Sequence, residues 1–370
     1  MNQEHWYELG QVWEINSPGL VFYEERIKEN IRRLIQMIND VDRLRPHVKT
    51  HKSAEVTKLQ LAAGITKFKC ATIAEAEMLG ACGAPDVLLA YQPVGPNIQR
   101  FIQLQESFPQ TRFSCLVDNQ ESAQQMAKLA KTINAKFNIY IDVNVGMNRT
   151  GILPENVLQL YKAILDLDGL NMLGLHAYDG HIHDSDFNIR KQKVGDIITT
   201  LNNLRQEIIE SFGHEPLIVA GGTPSFPIYA NDSDFDCSPG TFVLWDKGYQ
   251  DAFEEQQFLP AALIISRVIS LPAANLICTD LGHKAVSAEN PLSKRITFLN
   301  AAELVPVSQS EEHLVLDAGA GHGYKVGDVL YGLPFHICPT VALHDTVVSV
   351  SADRPAQTWS TASRTRKISL

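Results

Sequence analysis

Three short stretches carry side chains able to do covalent or metal chemistry. RPHVKTHK, residues 45–52, crowds Lys49, Lys52, His47 and His51 into one turn. A lysine desolvated beside other cations moves toward the neutral amine, the form that attacks an aldehyde; a solvated basic turn is the alternative. GLHAYDGHIHD, residues 174–184, offers His176, Tyr178, His181 and His183. His176 and Tyr178 have the same parity, so an extended strand carries both on one face; a core tyrosine with surface histidines is the plainer reading. In FHICPT, His336 and Cys338 stand two apart. On an extended strand both would face one way and chelate one ion. Imidazole plus thiolate suits zinc, and two protein ligands leave water or substrate to complete an open catalytic shell. Ordinary packing is the alternative for so short a motif.

Weaker signals lie between these stretches. DVNVGMNRTG places Arg149 in a glycine-containing loop, where it contacts a cofactor ring or makes an ordinary ion pair. AGGTPSFP and SPGT supply Gly221, Gly222, Thr223, Gly240 and Thr241. Glycine-rich strand-to-helix turns expose backbone N–H groups to a phosphate, and closed parallel barrels often keep such a site after their seventh and eighth strands.

The elements that must hold these residues follow from periodicity. Ser17-Pro18 reads as the start of a helix, with Ile27, Ile31, Leu34, Ile35 and Ile38 at helical spacing. Strand-like runs follow at 46–50, 67–72, 86–91, 113–118, 137–143, 172–178, 217–222 and 240–245, with helical segments at 54–63, 73–81, 120–130, 155–165 and 189–211. Alternation of this kind predicts parallel pairing with right-handed crossovers, an α/β fold of the (β/α)₈ TIM barrel type. An open doubly wound sheet would want a glycine-rich dinucleotide fingerprint, and the sequence has none. Beyond about residue 255 the pattern turns all-β, with runs such as LIISRVISL, HLVLDAG and TVALHDTVVSV. The expected division is a barrel over 17–255 and a β-rich domain over 1–16 and 256–370. Trp6–Glu14 reads as an edge strand, and the polar tail from Ser351 as a last strand or a loose end.

Composition narrows the partners. With 45% apolar residues, 20% charged residues and a net charge of −10, the chain is globular and lacks the clustered basic surface that nucleic acid or an anionic membrane requires. A small-molecule ligand is expected. No apolar run reaches the roughly 20 residues of a membrane span, and the start MNQEHWYELG has no leader pattern, so a cytoplasmic location is expected. Six cysteines without a CxxC pair read as reduced thiols.

Taken in order, RPHVKTHKS, FKCATIAEAEML, LLAYQPVG, VNVGMNRTGI, GLHAYDGH, AGGTPS, SPGTFVLWD, DLGHKAVS, QSEEH and GDVLYGLPFHICPTV resemble the D-threonine aldolase and D-serine dehydratase family, relatives of the alanine racemase barrel. The pieces run from about residue 17 to 345. DLGHKAVS, SEEH and HICPT belong to the lyase branch and would not be expected in a racemase. The resemblance implies an alanine racemase-like barrel with a C-terminal β domain, and a pyridoxal 5'-phosphate enzyme whose Schiff-base lysine is Lys49, with Lys52 an accessory charge. It implies Arg149 and Tyr178 near the pyridine ring, the turns around Gly222 and Gly240 at the phosphate, and His336 and Cys338 as ligands of a divalent metal, zinc or manganese. The implied reaction is retro-aldol cleavage of a D-3-hydroxy amino acid to glycine and an aldehyde, with His181 or a water on the metal as base. A D-serine dehydratase, giving keto acid and ammonia, would use the same residues. An amino-acid racemase and a non-catalytic cofactor carrier are the remaining readings. A homodimer is expected from the same relatives.

Overall fold

In a computed structural model, residues 5–351 and 354–370 are described; Met1–Glu4 and the Ala352-Asp353 pair of the polar tail lie outside them. The chain forms two compact units: Leu34–Lys49, Thr57–Gly240 and Thr365–Leu370 make one, and Met1–Arg33, Thr50–Val56 and Thr241–Arg364 the other. Residues 17–33 and 241–255, expected with the barrel, therefore cluster with the strand-rich unit. No helix among the described residues is long and apolar enough to cross a membrane.

The strand-rich unit begins with β1 (Gly19–Tyr23). This corrects the reading of Ser17-Pro18 as the start of a helix: GLVFY is an apolar, β-branched and aromatic run that a sheet buries, and the helix starts only at Glu24, where Glu24 and Glu25 favour a helix N-terminus.

The other unit holds seven parallel strands, β2 (Lys67–Cys70), β3 (Asp86–Leu89), β4 (Arg112–Val117), β5 (Phe137–Val143), β6 (Leu170–Ala177), β7 (Leu217–Ala220) and β8 (Asp236–Cys237), paired in that order. The expected first strand at 46–50 is an extended segment with single bridges from Leu44 to Cys237 and from His47 to Lys69. Arg45 N–H donates to Cys237 O at 2.9 Å, His47 N–H to Pro239 O at 2.9 Å and Val48 N–H to Lys69 O at 3.0 Å, so residues 44–48 join β8 to β2 and close the ring. Pro46 has no N–H to give a ladder, which shortens this stave. The expected strand at 240–245 is also corrected: the eighth strand is β8, and Thr241–Val243 is a 3₁₀ turn. TFVLW is buried at every position, so its apolar run carries no period to tell a strand from a helical turn. Helices Ile73–Ala81, Gln120–Thr132, Val157–Leu165 and Phe187–Phe212 fall where helical spacing placed them.

The strand-rich unit continues with β9 (Ala262–Ala273), β10 (Leu276–Thr279), β11 (Ile296–Phe298), β12 (Val305–Gln309), β13 (Leu314–Asp317), β14 (Val329–Pro334), β15 (Thr346–Ser351) and β16 (Arg354–Ser360). β1 pairs antiparallel with β9 and parallel with β15, and β14 lies on the other edge of β9. Trp6–Glu14 is not an edge strand: it turns, and Val12–Glu14 is a 3₁₀ turn. Its alternation has another cause, because Tyr7, Leu9 and Ile15 drop onto a core of Val21, Tyr23, Leu263, Ile265, Tyr331 and Leu333. The tail does hold one more strand, β16, and a 3₁₀ turn at Ala362–Arg364 follows it.

Candidate active site

In the barrel unit, three cations surround one aromatic ring. Lys49 Nζ lies 5.5 Å from the Tyr178 centroid, Lys69 Nζ 5.3 Å and Arg149 Cζ 5.0 Å, a range in which a ring face attracts positive charge. Each comes from the C-terminal end of a different stave. Lys49 follows the bridging segment, and its N–H donates to His47 Nδ1 at 3.2 Å. Lys69 is the third residue of β2 and Tyr178 the residue after β6.

Arg149 rides on the loop after β5. Asn144 Oδ1 accepts from Gly146 N–H and Asn148 N–H, both at 3.1 Å, which folds the loop on itself. Its far side is pinned by Thr150 Oγ1 donating to Asp142 Oδ2 at 2.8 Å and Gly151 N–H to Asp118 Oδ2 at 3.1 Å. Asp142 also accepts from Gln92 at 3.0 Å, and its other oxygen meets His176 Nδ1 at 2.7 Å. Burial, then the charge of Lys69, lowers the His176 pKa to about 4 against the pull of Asp142. The imidazole is neutral at pH 7, so Nδ1 carries the proton toward Asp142 and Nε2 is an acceptor. That Nε2 is buried and has no hydrogen-bond partner among the described residues.

The two glycine turns sit beside this group. Gly221 has φ +74, a backbone that side chains rarely adopt, and a Cβ on Gly222 would come within 3.1 Å of the Tyr178 ring. Gly222 N–H donates to Ser225 Oγ at 3.2 Å, and Gly240 N–H to Thr223 Oγ1 at 2.9 Å, which ties the two turns together. Ser238 Oγ, in the second turn, is buried and has no hydrogen-bond partner among the described residues. Asp179 accepts from Ser225 Oγ at 3.0 Å, and burial raises its pKa to about 6. Small residues where a larger ligand needs room, a tied pair of turns and two unspent buried polar atoms fit a phosphorylated ring compound on Tyr178.

His336 and Cys338 belong to the strand-rich unit and come together by a route other than the expected one. They are not on a strand: His336 is the N-cap of helix Ile337–Val341, and Cys338 is in its first turn. Pro339 favours a first helical turn, and Asp246 Oδ2 accepts from Ile337 N–H at 3.0 Å, which fixes where the helix starts. The imidazole nonetheless reaches the thiol. Burial works to lower the His336 pKa, but the hydrogen bond to Cys338, with Glu289 and Asp246, outweighs it and raises the group to about 9. Glu289 bonds His336 Nδ1, and Thr50 Oγ1 and Thr241 Oγ1 lie 3.1 and 3.7 Å from the sulfur. No three His, Cys, Asp or Glu side chains among the described residues group closely enough to hold an ion by themselves. The pair fits a metal that keeps open positions, with Glu289 in the role of the carboxylate that orients a ligating imidazole.

Two assignments land elsewhere. His181 is exposed, packs on Gly146, and borders a cavity of about 430 Å³ with Asn144, Lys193 and Asp196; no contact of its ring with Lys49 or Tyr178 is found among the described residues. Thr241 faces Cys338. Lys69 escaped the sequence reading because it sits inside a strand. Its one signal is a lysine between Phe68 and Cys70, a charge between two apolar residues that the strand buries.

Residues 24–234 match the family model "Alanine racemase, N-terminal domain", and 261–350 match "Putative serine dehydratase domain". The chain is 27% identical over 363 residues to a D-threonine aldolase of Arthrobacter sp., covering 95% of this chain and 93% of that protein. It is 27% identical over 368 residues to a 3-hydroxy-D-aspartate aldolase of Paracoccus denitrificans (strain Pd 1222), covering 95% and 92%. The crystal structure of D-threonine aldolase from Filomicrobium marinum superposes with a TM-score of 0.84 at 24% identity, covering 95% of each chain, which shows a common fold. With more than half its length matched by that first model, the chain belongs to the alanine racemase N-terminal domain family.

Proposed function

We propose that this protein is a lyase of D-3-hydroxy amino acids, dependent on pyridoxal 5'-phosphate and a divalent metal, which cleaves Cα–Cβ to give glycine and an aldehyde. The observation that carries this reading is the convergence of Lys49, Lys69 and Arg149 on the Tyr178 ring beside two tied glycine turns. Bound there, pyridoxal phosphate supplies an aldehyde for an amine to hold and a ring that draws electrons from a substrate's α-carbon.

The chain's own groups divide the remaining work. Lys49 would hold the aldehyde carbon, and the half-buried Tyr178 ring would seat the pyridine face. The hydroxyls of Thr223 and of the buried Ser238 would donate to the phosphate, and Gly221, Gly222 and Gly240, whose N–H groups are already bonded within the turns, would leave it room. Asp142 fixes both His176 and the loop bearing Arg149, so that one carboxylate orients two groups. His336 and Cys338 would hold zinc or manganese, which supplies Lewis-acid polarisation of a hydroxyl. The names of the two full-length relatives, both aldolases of D-configured 3-hydroxy amino acids, support the substrate class.

A dehydratase is the second reading, favoured by the domain match over 261–350. Incubating purified protein with D-threonine, D-serine and D-3-phenylserine separates them. Glycine plus aldehyde, lost on exhaustive chelation, is the expected result. Keto acid plus ammonia assigns the dehydratase, and an L-isomer formed regardless of chelation overturns both.

A further inference from the structure

Two lysines, Lys49 and Lys69, face the Tyr178 ring, one more than a single Schiff base requires. Lys69 is 3% exposed, and among the described residues its ammonium has no hydrogen-bond or ion-pair partner. Other buried cations of the barrel unit are provided for: Arg45 is fully buried and bonds both Asp86 and Asp236, and the equally buried Arg190 donates to Asp184 O. An isolated buried charge is costly, and folded proteins either pair it or hold it neutral. Burial and the charge of Lys49 press Lys69 toward the neutral form, to about 7, while Asp142 and Asp179 oppose this. The amine faces the same ring as Lys49 and Arg149.

We propose that Lys69 is a binding residue of the site, and that its missing counter-ion is an anionic oxygen of the small molecule held against Tyr178. This rests on the proposed function. Two oxygens share that chemistry: the ring oxygen of pyridoxal phosphate and a carboxylate of the amino-acid substrate. A charge-assisted hydrogen bond to either would return Lys69 to its protonated form and offset its burial. A packing role would instead need an aliphatic chain of that length and no charge.

Lys69→Met keeps the length and removes the charge, and Lys69→Arg keeps the charge. The test reads thermal stability of the cofactor-free protein, pyridoxal phosphate affinity by absorbance titration, and KM and kcat toward D-threonine and 3-hydroxy-D-aspartate at saturating cofactor. Cofactor-free Lys69→Met should be at least as stable as wild type, because an unpaired buried charge is gone. If the ring oxygen is the partner, its affinity for pyridoxal phosphate falls about 10- to 100-fold. If a substrate carboxylate is the partner, that affinity holds and KM rises by a similar factor with kcat much less changed. In either case Lys69→Arg recovers part of the loss. Affinity and KM both within about twofold of wild type in Lys69→Met, or a cofactor-free variant less stable than wild type, would overturn the proposal. A wild-type protein that binds no pyridoxal phosphate defeats the functional reading and this inference together. A working wild type with an indistinguishable Lys69→Met defeats the inference alone.

Discussion

The residues that surround Tyr178 differ in how visible they are in the sequence. Lys49, Arg149 and Tyr178 are legible because polar groups at the ends of apolar strands have few structural uses in a barrel. Lys69 and Asp142 are not, because each sits within a strand, and only the closed sheet makes their burial costly. The H-x-C spacing was legible while its conformation was not: parity on a strand joins residues two apart, and so does the first turn of a helix. Asp179 gives this scale its prediction. Its folded pKa of about 6 stands above the ordinary 3.8, so the folded state binds more protons across that interval. Stability from this group is present below pH 3.8 and is lost as pH rises through 6. Asp179→Asn removes the titration, so its stability relative to wild type should improve between pH 4 and 7 by on the order of 2–3 kcal/mol. Denaturant midpoints measured across that range check it, and parallel curves for the two proteins would refute it.

Among elements, β2 to β7 were legible to within about two residues from apolar runs bounded by turn residues. The first and last staves were not. The first is a four-bond bridge through Pro46 with too few ladder positions to form a regular strand, and the last is the two residues Asp236 and Cys237, too short to show any period. What sets the start of β7 against β6 is a close approach of backbones that no periodicity reveals. A Cβ on Gly174 would lie 1.9 Å from Leu217 O, so the pairing of β6 with β7 needs glycine there. Gly174→Ala should cost about 3 kcal/mol or more, because backbone rather than a flexible side chain must move. Equilibrium unfolding in urea measures this, and a loss under about 1 kcal/mol would show that the two strands separate easily.

At the scale of the whole chain, the barrel unit is held at the N-terminal ends of its staves by charge. Arg45 bonds Asp86 at 2.5 Å and Asp236 at 3.2 Å, Arg112 also bonds Asp86, and Lys67 bonds Asp236 at 3.0 Å, so five staves meet in one network around the buried Arg45, opposite the ends that carry Lys49 and Tyr178. Removing one member of such a network leaves its partners' charge stranded. Arg45→Met should destabilise the protein by about 3 kcal/mol, since Arg112 and Lys67 still meet part of the carboxylate charge, and a calorimetric melt reads the loss. A neutral result would mean that the ring closes without this network.

The central claim, that the amine of Lys49 holds the aldehyde of pyridoxal phosphate, is tested most directly by trapping the bond. The protein loaded with pyridoxal phosphate is reduced with borohydride, digested and mapped by mass spectrometry. The account expects the pyridoxyl group on Lys49 and its absence from Lys49→Ala; stable labelling of Lys69 or of any other lysine in place of Lys49 would contradict it.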